Sequence, residues 1–274
     1  MLRDKLAGRH VHKPHEFRWR SREISRLEGL SDAVFGFAIT LLIVALEVPR
    51  TSGELLETMR GFIAFAMTFA MLYTLWYRQF VFFRRYGLED RTTAVLNGAL
   101  LFMVLFFVFP LKFLLGALVD RLLGYGKMVR LHDGTLERAI EPEHLTVMMT
   151  IYGLGFAAVF GIFALLHLHA HRKRHELELN ELERLDTLQA IQVFTYGGSL
   201  GLFIVVYANV VALAEGKPYE DKVTIAATAV LFGCMAALLR YRVKRRHRRR
   251  QLVERLTAAG ELPEGGAPSG EGLG

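Results

Sequence analysis

Cysteine is almost missing from this chain: 274 residues hold one, Cys234. A lone cysteine closes no internal disulfide and builds no thiolate metal site, which excludes a secreted disulfide scaffold and a zinc module. Convergent catalytic patterns are missing as well. No Ser/His/Asp set, HExxH run, ATP-binding motif or other cofactor motif stands out, so an enzyme is not expected and no cofactor is implied. The sequence also lacks a clean small-x-small cleavage site after its first apolar block, which starts near residue 29 and runs into LEVPRTSG. A removable signal peptide is therefore not expected.

What is present is apolar residues, and they are clustered. They make up 52% of the chain, mean hydropathy is positive and the net charge is +7. They fall into six blocks, at about 29–48, 61–83, 92–118, 145–167, 187–214 and 223–239, nearly free of Asp, Glu, Lys and Arg. About 20 such residues cross a bilayer as a helix. None of the blocks alternates polar and apolar residues, which excludes barrel strands. The predicted fold class is an all-α membrane protein with six transmembrane helices. Residues 1–28 form a basic amino-terminal segment, 29–240 the membrane domain, and 241–274 a tail that starts basic and turns Gly-, Pro- and Glu-rich, as disordered segments are. No room remains for a separate soluble catalytic domain.

Lys and Arg set the expected orientation, because positive charge beside the spans is retained on the cytoplasmic side. The amino-terminal segment, the connections after the second and fourth spans and the tail hold 24 of them, against 8 in the other three connections. Both termini are expected in the cytoplasm, with the chain multi-pass in the inner (plasma) membrane. Between Arg240 and Arg250 lie eight Lys or Arg in eleven residues, a pattern suited to anionic lipid headgroups rather than to nucleic acid.

The run Arg26-Leu27-Glu28-Gly29-Leu30-Ser31-Asp32-Ala33-Val34-Phe35-Gly36-Phe37-Ala38-Ile39-Thr40-Leu41-Leu42 resembles the signature of the transmembrane protein 175 family: an Arg, three residues, then Phe-Ser-Asp and an apolar helix. Trp76 in an aromatic second span, Leu96-Asn97 at the start of the third and Phe109-Pro110 near its end extend the resemblance. It departs at Leu30, where Phe is usual, and after Trp76, where Arg78 or Gln79 replaces a usual His. The resemblance implies six-span chains that assemble as homotetrameric potassium channels without a Thr-Val-Gly-Tyr-Gly filter, with potassium as the permeant ion.

A helical wheel gives the first span an orientation. With about 100° per residue and Phe37 at zero, Ala33, Thr40, Leu41 and Val44 lie within about 60° and form one stripe. The resemblance places the pore constriction three positions before the Thr, at Phe37, with further layers at Leu41 and Val44 and hydroxyl oxygens for selectivity from Thr40. Stacked apolar rings of this kind gate by excluding water. Without the resemblance, the same stripe reads as packing or lipid contact. Asp32 lies about 140° from Phe37 on this wheel. A pore-facing Phe37 therefore places Asp32 in a structural network with Ser31, in which Arg26, Arg78 or the Trp76 indole supplies the partner, or in a simple helix cap.

Other features read as bland. His167, His169, His171 and His175 crowd the end of the fourth span, and three share a face at four-residue spacing; a solvated basic face is expected ahead of a metal or pH-sensing site. Tyr196-Gly197-Gly198-Ser199 lies inside an apolar block, where the spacing of Gly197 and Gly201 predicts close helix packing rather than an ion filter. His132-Asp133-Gly134-Thr135 reads as a tight turn. Two other function classes fit the same composition: a non-conducting membrane scaffold of the same family, and a secondary transporter. The transporter would need polar residues at mid-bilayer, and the candidates Asn97, Asn209, Gln189 and Gln192 sit mostly near span ends.

Overall fold

The computed structural model describes residues 17–21, 23–44, 51–122, 128–130, 136–138, 144–214, 251 and 255. Among the described residues six helices carry the fold: α1 (Arg26–Val44), α2 (Ser52–Arg60), α3 (Phe62–Tyr86), α4 (Arg91–Leu122), α5 (Leu145–Arg172) and α6 (Glu181–Ala214). Between α4 and α5 an antiparallel ribbon pairs β1 (Met128–Arg130) with β2 (Leu136–Arg138), in the register Met128 to Arg138 and Arg130 to Leu136. The expected turn at His132 to Thr135 lies outside the described residues. So do the sixth span at 223–239 and the basic run to Arg250. Four of the helices, α1, α4, α5 and α6, are long and apolar enough to cross a membrane. The 25 residues of α3 are long enough too, but Tyr, Trp76, Arg78 and Gln79 lower their hydropathy.

Helix ends follow from their caps. Before α1, Ser25 Oγ accepts the Glu28 backbone N–H at 3.1 Å, so the helix starts three residues ahead of the apolar block. Asp90 does the same for α4, accepting from the Thr93 N–H at 3.3 Å and the Thr93 hydroxyl at 2.5 Å. Asn180 and Glu183 form a reciprocal box at α6: the Glu183 N–H donates to Asn180 Oδ1 at 2.8 Å, and the Asn180 N–H donates to Glu183 Oε2 at 3.2 Å. Gly87 ends α3 in the left-handed region at φ 59°, its N–H donating to the Phe83 carbonyl at 2.8 Å.

Helix α1 packs on α3 and α4, and α4 also packs on α5. The tightest pair is α5 with α6, where glycines let the backbones meet. A Cβ on Gly201 would lie 2.6 Å from the Gly153 carbonyl oxygen and 2.7 Å from the Ala157 nitrogen; one on Gly197 would enter the Phe160 ring. Residues 196–199 are continuous helix within α6. The beginnings of α1, α4 and α6 and the ends of α3 and α5 gather at one end of the bundle, together with Arg18, Arg20, Arg84, Arg85 and Lys173, and this is called the basic end below.

The candidate pore helix and its polar anchor

Helix α1 has two unlike sides. Glu28, Ser31, Phe35, Ala38 and Leu42 are buried, while Leu30, Ala33, Phe37, Thr40 and Val44 are exposed, with Phe37 at 57% and Val44 at 71%; Leu41 is half-buried. The two sets centre about 160° apart on the wheel, so the described residues cover one side of this helix and leave the other bare.

On the covered side the outer part is apolar. Phe35, Ala38 and Leu42 pack against Leu72 of α3 and Leu101, Val104 and Val108 of α4. In a bilayer such contacts gain from close fit rather than from water release, so they hold a helix without choosing its rotation sharply. Rotation is chosen one turn nearer the basic end. Gln79 Nε2 donates to Ser31 Oγ at 2.9 Å and to Asn97 Oδ1, Asn97 Nδ2 donates to Ser31 Oγ at 2.9 Å, and Ser31 Oγ donates to the Leu27 carbonyl at 2.7 Å. The Ser31 oxygen thus gives its one proton and fills both lone pairs, and both Gln79 amide protons are used. All three side chains are at most 2% exposed. A closed triangle of this kind costs heavily to half-break, because each remaining group would be orphaned where no water replaces it.

Asp32 stands beside the triangle, not in it. Its Oδ1 accepts the Trp76 indole N–H at 2.7 Å. That indole belongs to a run of ring contacts along one side of α3, from Phe62 through Phe65, Phe69 and Tyr73 to Trp76 and on to Phe80, at centroid separations of 5.4–6.5 Å. The structure therefore joins Ser31, Asp32 and Trp76 to α3 and α4 and leaves out Arg26 and Arg78, which are both exposed. Gln79 takes the inward position that the sequence left open between Arg78 and Gln79. Helical phase accounts for this: Gln79 follows Trp76 by three residues and stays on its side of α3, while Arg78 turns away.

Thr40 Oγ1 donates to the Gly36 carbonyl at 2.9 Å, so its proton is committed to the helix and its lone pairs stay free on the bare face. Below the triangle, Glu28 is 2% exposed, with Oε1 at 3.2 Å from Arg84 Nε.

The histidine cluster is not the solvated face expected from the sequence. His167 is 6% exposed, and its ring packs against Phe82, Tyr86 and Phe194 with Nδ1 2.8 Å from the Phe163 carbonyl. His169 faces Asp90 instead, Nε2 to Oδ2 at 2.7 Å, and Lys173 Nζ lies 3.7 Å from the same oxygen. Because α5 ends at Arg172, His175 shares no helical face with the others. Among the described residues, no group of three or more His, Cys, Asp or Glu is placed to hold a metal ion.

A bundle of helices long and apolar enough to cross a membrane, one of which is pinned by a buried polar triangle and left bare on its other side by the described residues, defines a helical membrane protein. The family described as endosomal/lysosomal potassium channel TMEM175 matches residues 26–108, a stretch that holds Ser31, Asp32, Trp76, Gln79 and Asn97. A protein of Marivirga tractuosa named a potassium channel is 39% identical over 177 residues, which is 64% of this chain and 70% of that one. A potassium channel of Chamaesiphon minutus is 34% identical over 96 residues, 32% of this chain and 47% of that one. Among solved structures, a variant of the potassium channel MtTMEM175 bound to a nanobody fusion superposes with a TM-score of 0.68 at 30% identity, covering 84% of this chain and 97% of that one. The chain belongs to the TMEM175 family.

Proposed function

We propose that the chain is a potassium-preferring cation channel in which four copies of α1 surround one pore. The observation that carries this reading is the two-sidedness of α1, whose apolar face with Phe37 finds no cover among the described residues. One lining helix per chain encloses no path, so several copies must close around an axis, and the family resemblance implies four. Four Phe37 rings would form the constriction, with layers at Leu41 and Val44, and such a stack stays dry until the helices separate or turn. Beside it, the free lone pairs of Thr40 replace part of an ion's hydration and favour potassium. Asp32 is held by Trp76 and serves the scaffold, not the ion. Potassium is the permeant and no cofactor takes part.

The basic end is cytoplasmic in this reading, with both termini there and the chain in the inner membrane. Residues 1–28 then lie before the channel domain at 29–240, and the run from Arg240 to Arg250 meets anionic headgroups.

Potassium and sodium flux into proteoliposomes tests the proposal, with wild type, Phe37→Ala and Thr40→Ala at matched protein density. Wild type should pass potassium ahead of sodium. Phe37→Ala should raise flux and weaken the preference, since water can follow the ion through a wider ring; Thr40→Ala should keep flux and weaken selectivity alone. If Phe37→Ala changes neither quantity, Phe37 does not line the narrow part of the path. If none of the three conducts, the scaffold reading replaces the channel.

A further inference from the structure

Residues 17–21 and 23–25 have no regular secondary structure, yet Phe17, Arg18, Arg20 and Ser21 are bound on both sides. Phe17 is 7% exposed, its ring edge-on to Tyr86 at 5.3 Å and beneath the guanidinium groups of Arg85 at 4.9 Å and Arg20 at 5.5 Å. Arg18 donates to Glu183 from its backbone N–H at 2.9 Å and from Nε and Nη2 at 3.2 Å each. Arg20 adds Nη2 to Glu183 Oε2 at 2.6 Å and Nε to the Leu177 carbonyl at 2.9 Å. On the other side, the Arg20 N–H donates to the Arg84 carbonyl at 2.9 Å, Arg20 Nη1 to the Arg85 carbonyl at 3.1 Å, and Arg84 Nη1 to the Ser21 carbonyl at 3.3 Å. Glu183 is 1% exposed, and hydrogen bonding to it pushes the Arg18 guanidinium above its ordinary value.

This strap joins three parts. It crosses from the first turn of α6 to the last turn of α3, and five residues past Ser21 it becomes α1, itself tied to α3 by Glu28 and Arg84 at 3.2 Å. At most about 3.5 Å per residue separates Ser21 from Arg26, so little slack lies between the clamp and the pore helix. Glu183 sits on the α5–α6 pair, which the glycines lock into one body, while α1 has one bare side and is held on the other by its apolar packing, the triangle, the Glu28–Arg84 pair and the strap.

We infer that Glu183 is a positioning residue for the pore helix: by clamping Arg18 and Arg20 it holds the strap, and through the strap it restrains α1 from the displacement that opens the constriction. The inference rests on the channel reading. Its geometry gives α1 two holds of different kinds, a side-chain triangle that sets rotation and a backbone strap that limits displacement. Releasing the strap should ease opening while leaving the lining residues, and so the open path, as they were.

Single-channel recording of the full chain in planar bilayers tests this with Glu183→Gln, Arg20→Gln and the double variant. Each single change should raise open probability by about tenfold, the weight of one charged hydrogen bond in a two-state balance. Unitary conductance and the potassium preference should stay at wild-type values, and the double variant should open no more than the singles. Unchanged or lowered open probability, or a change that carries conductance and selectivity with it, overturns the restraint. Should Glu183→Gln fail to fold, Arg18→Gln, whose side chain is 47% exposed, carries the same test with a smaller expected rise. Amide exchange supplies a readout independent of current: Glu183→Gln should speed exchange through residues 17–23 and on into the first turns of α1. Acceleration that stops at residue 23 overturns the coupling. A wild type without current but with exchange reaching α1 would sink the channel reading and spare the strap.

Discussion

The α5–α6 contact and the α1–α3–α4 contact hold helices together by opposite means. At Gly153 and Gly201 the backbones approach until no Cβ fits between them, and the pair is fixed along its length by shape. At Ser31 the helices stay apart by a side chain's reach, and two side-chain amides and a hydroxyl fix one point. Shape locks a pair but uses up a whole side of each helix. A single polar pin leaves most of a helix surface free, which suits α1, whose opposite face must remain available. The comparison teaches that rigidity and a bare functional face are divided between different parts of one chain.

Each side of this comparison can be broken separately. The largest effect is expected for Gly201→Ala, because the atoms in the way are backbone and cannot swing aside; a loss of about 2–3 kcal/mol should appear as a lower thermal midpoint in detergent. A midpoint within a degree of wild type would mean that the pair has more slack than its geometry implies. Next comes Gln79→Leu, which orphans Asn97 Oδ1 and one lone pair of Ser31. About 1–2 kcal/mol should be lost, the size of membrane hydrogen bonds, and α1 should exchange amide protons faster while α5 and α6 do not. Equal acceleration in α6 would show that the two contacts form one unit. Trp76→Phe keeps the ring run on α3 and deletes only the donor to Asp32, so about 1 kcal/mol or less is expected. The same assay checks it. Asp32 has a neutral partner, so its removal strands no buried charge, and Asp32→Ala should cost far less than a broken ion pair.

The smallest effect is at the surface of the basic end. Burial pushes the Asp90 carboxyl up, but hydrogen bonds from Thr93 and His169 outweigh it and leave Asp90 below its ordinary value. A depressed folded value stabilises the fold above about pH 4 and loses that contribution as pH falls further. Asp90→Asn should therefore lower neutral stability by less than about 1 kcal/mol and flatten the acid limb of the stability curve by the same amount, the two proteins converging at low pH. An acid limb that stays as steep in the variant assigns the loss to another carboxylate.

Spans were legible because lipid demands long apolar helices, and α1 and α3 to α6 lie where the blocks lie. The short α2 was not, since nine residues with two glutamates lack the length of a span signal. The capping boxes Ser25-x-x-Glu28 and Asn180-x-x-Glu183 stand openly in the sequence, yet a reading that counted charge only to orient the spans had no use for them. The clamp at Glu183 needed three dimensions, because Arg18 and Arg20 are more than 160 residues away along the chain. His167 was misread for a related reason: a histidine at a span end looks wet until the rings of α3 and α6 are placed around it.

The ring run on α3 has an optical consequence. The chain has two tryptophans, and both rest on Phe80, Trp76 at 5.7 Å and Trp19 at 6.1 Å. Intrinsic fluorescence of the unlabelled protein thus watches one small region, where the strap crosses α3 and α1 is pinned, and is blind to α5 and α6. A melt followed by emission and one followed by circular dichroism should diverge wherever the strap releases before the glycine-locked pair does, so native light already separates the two halves of the molecule.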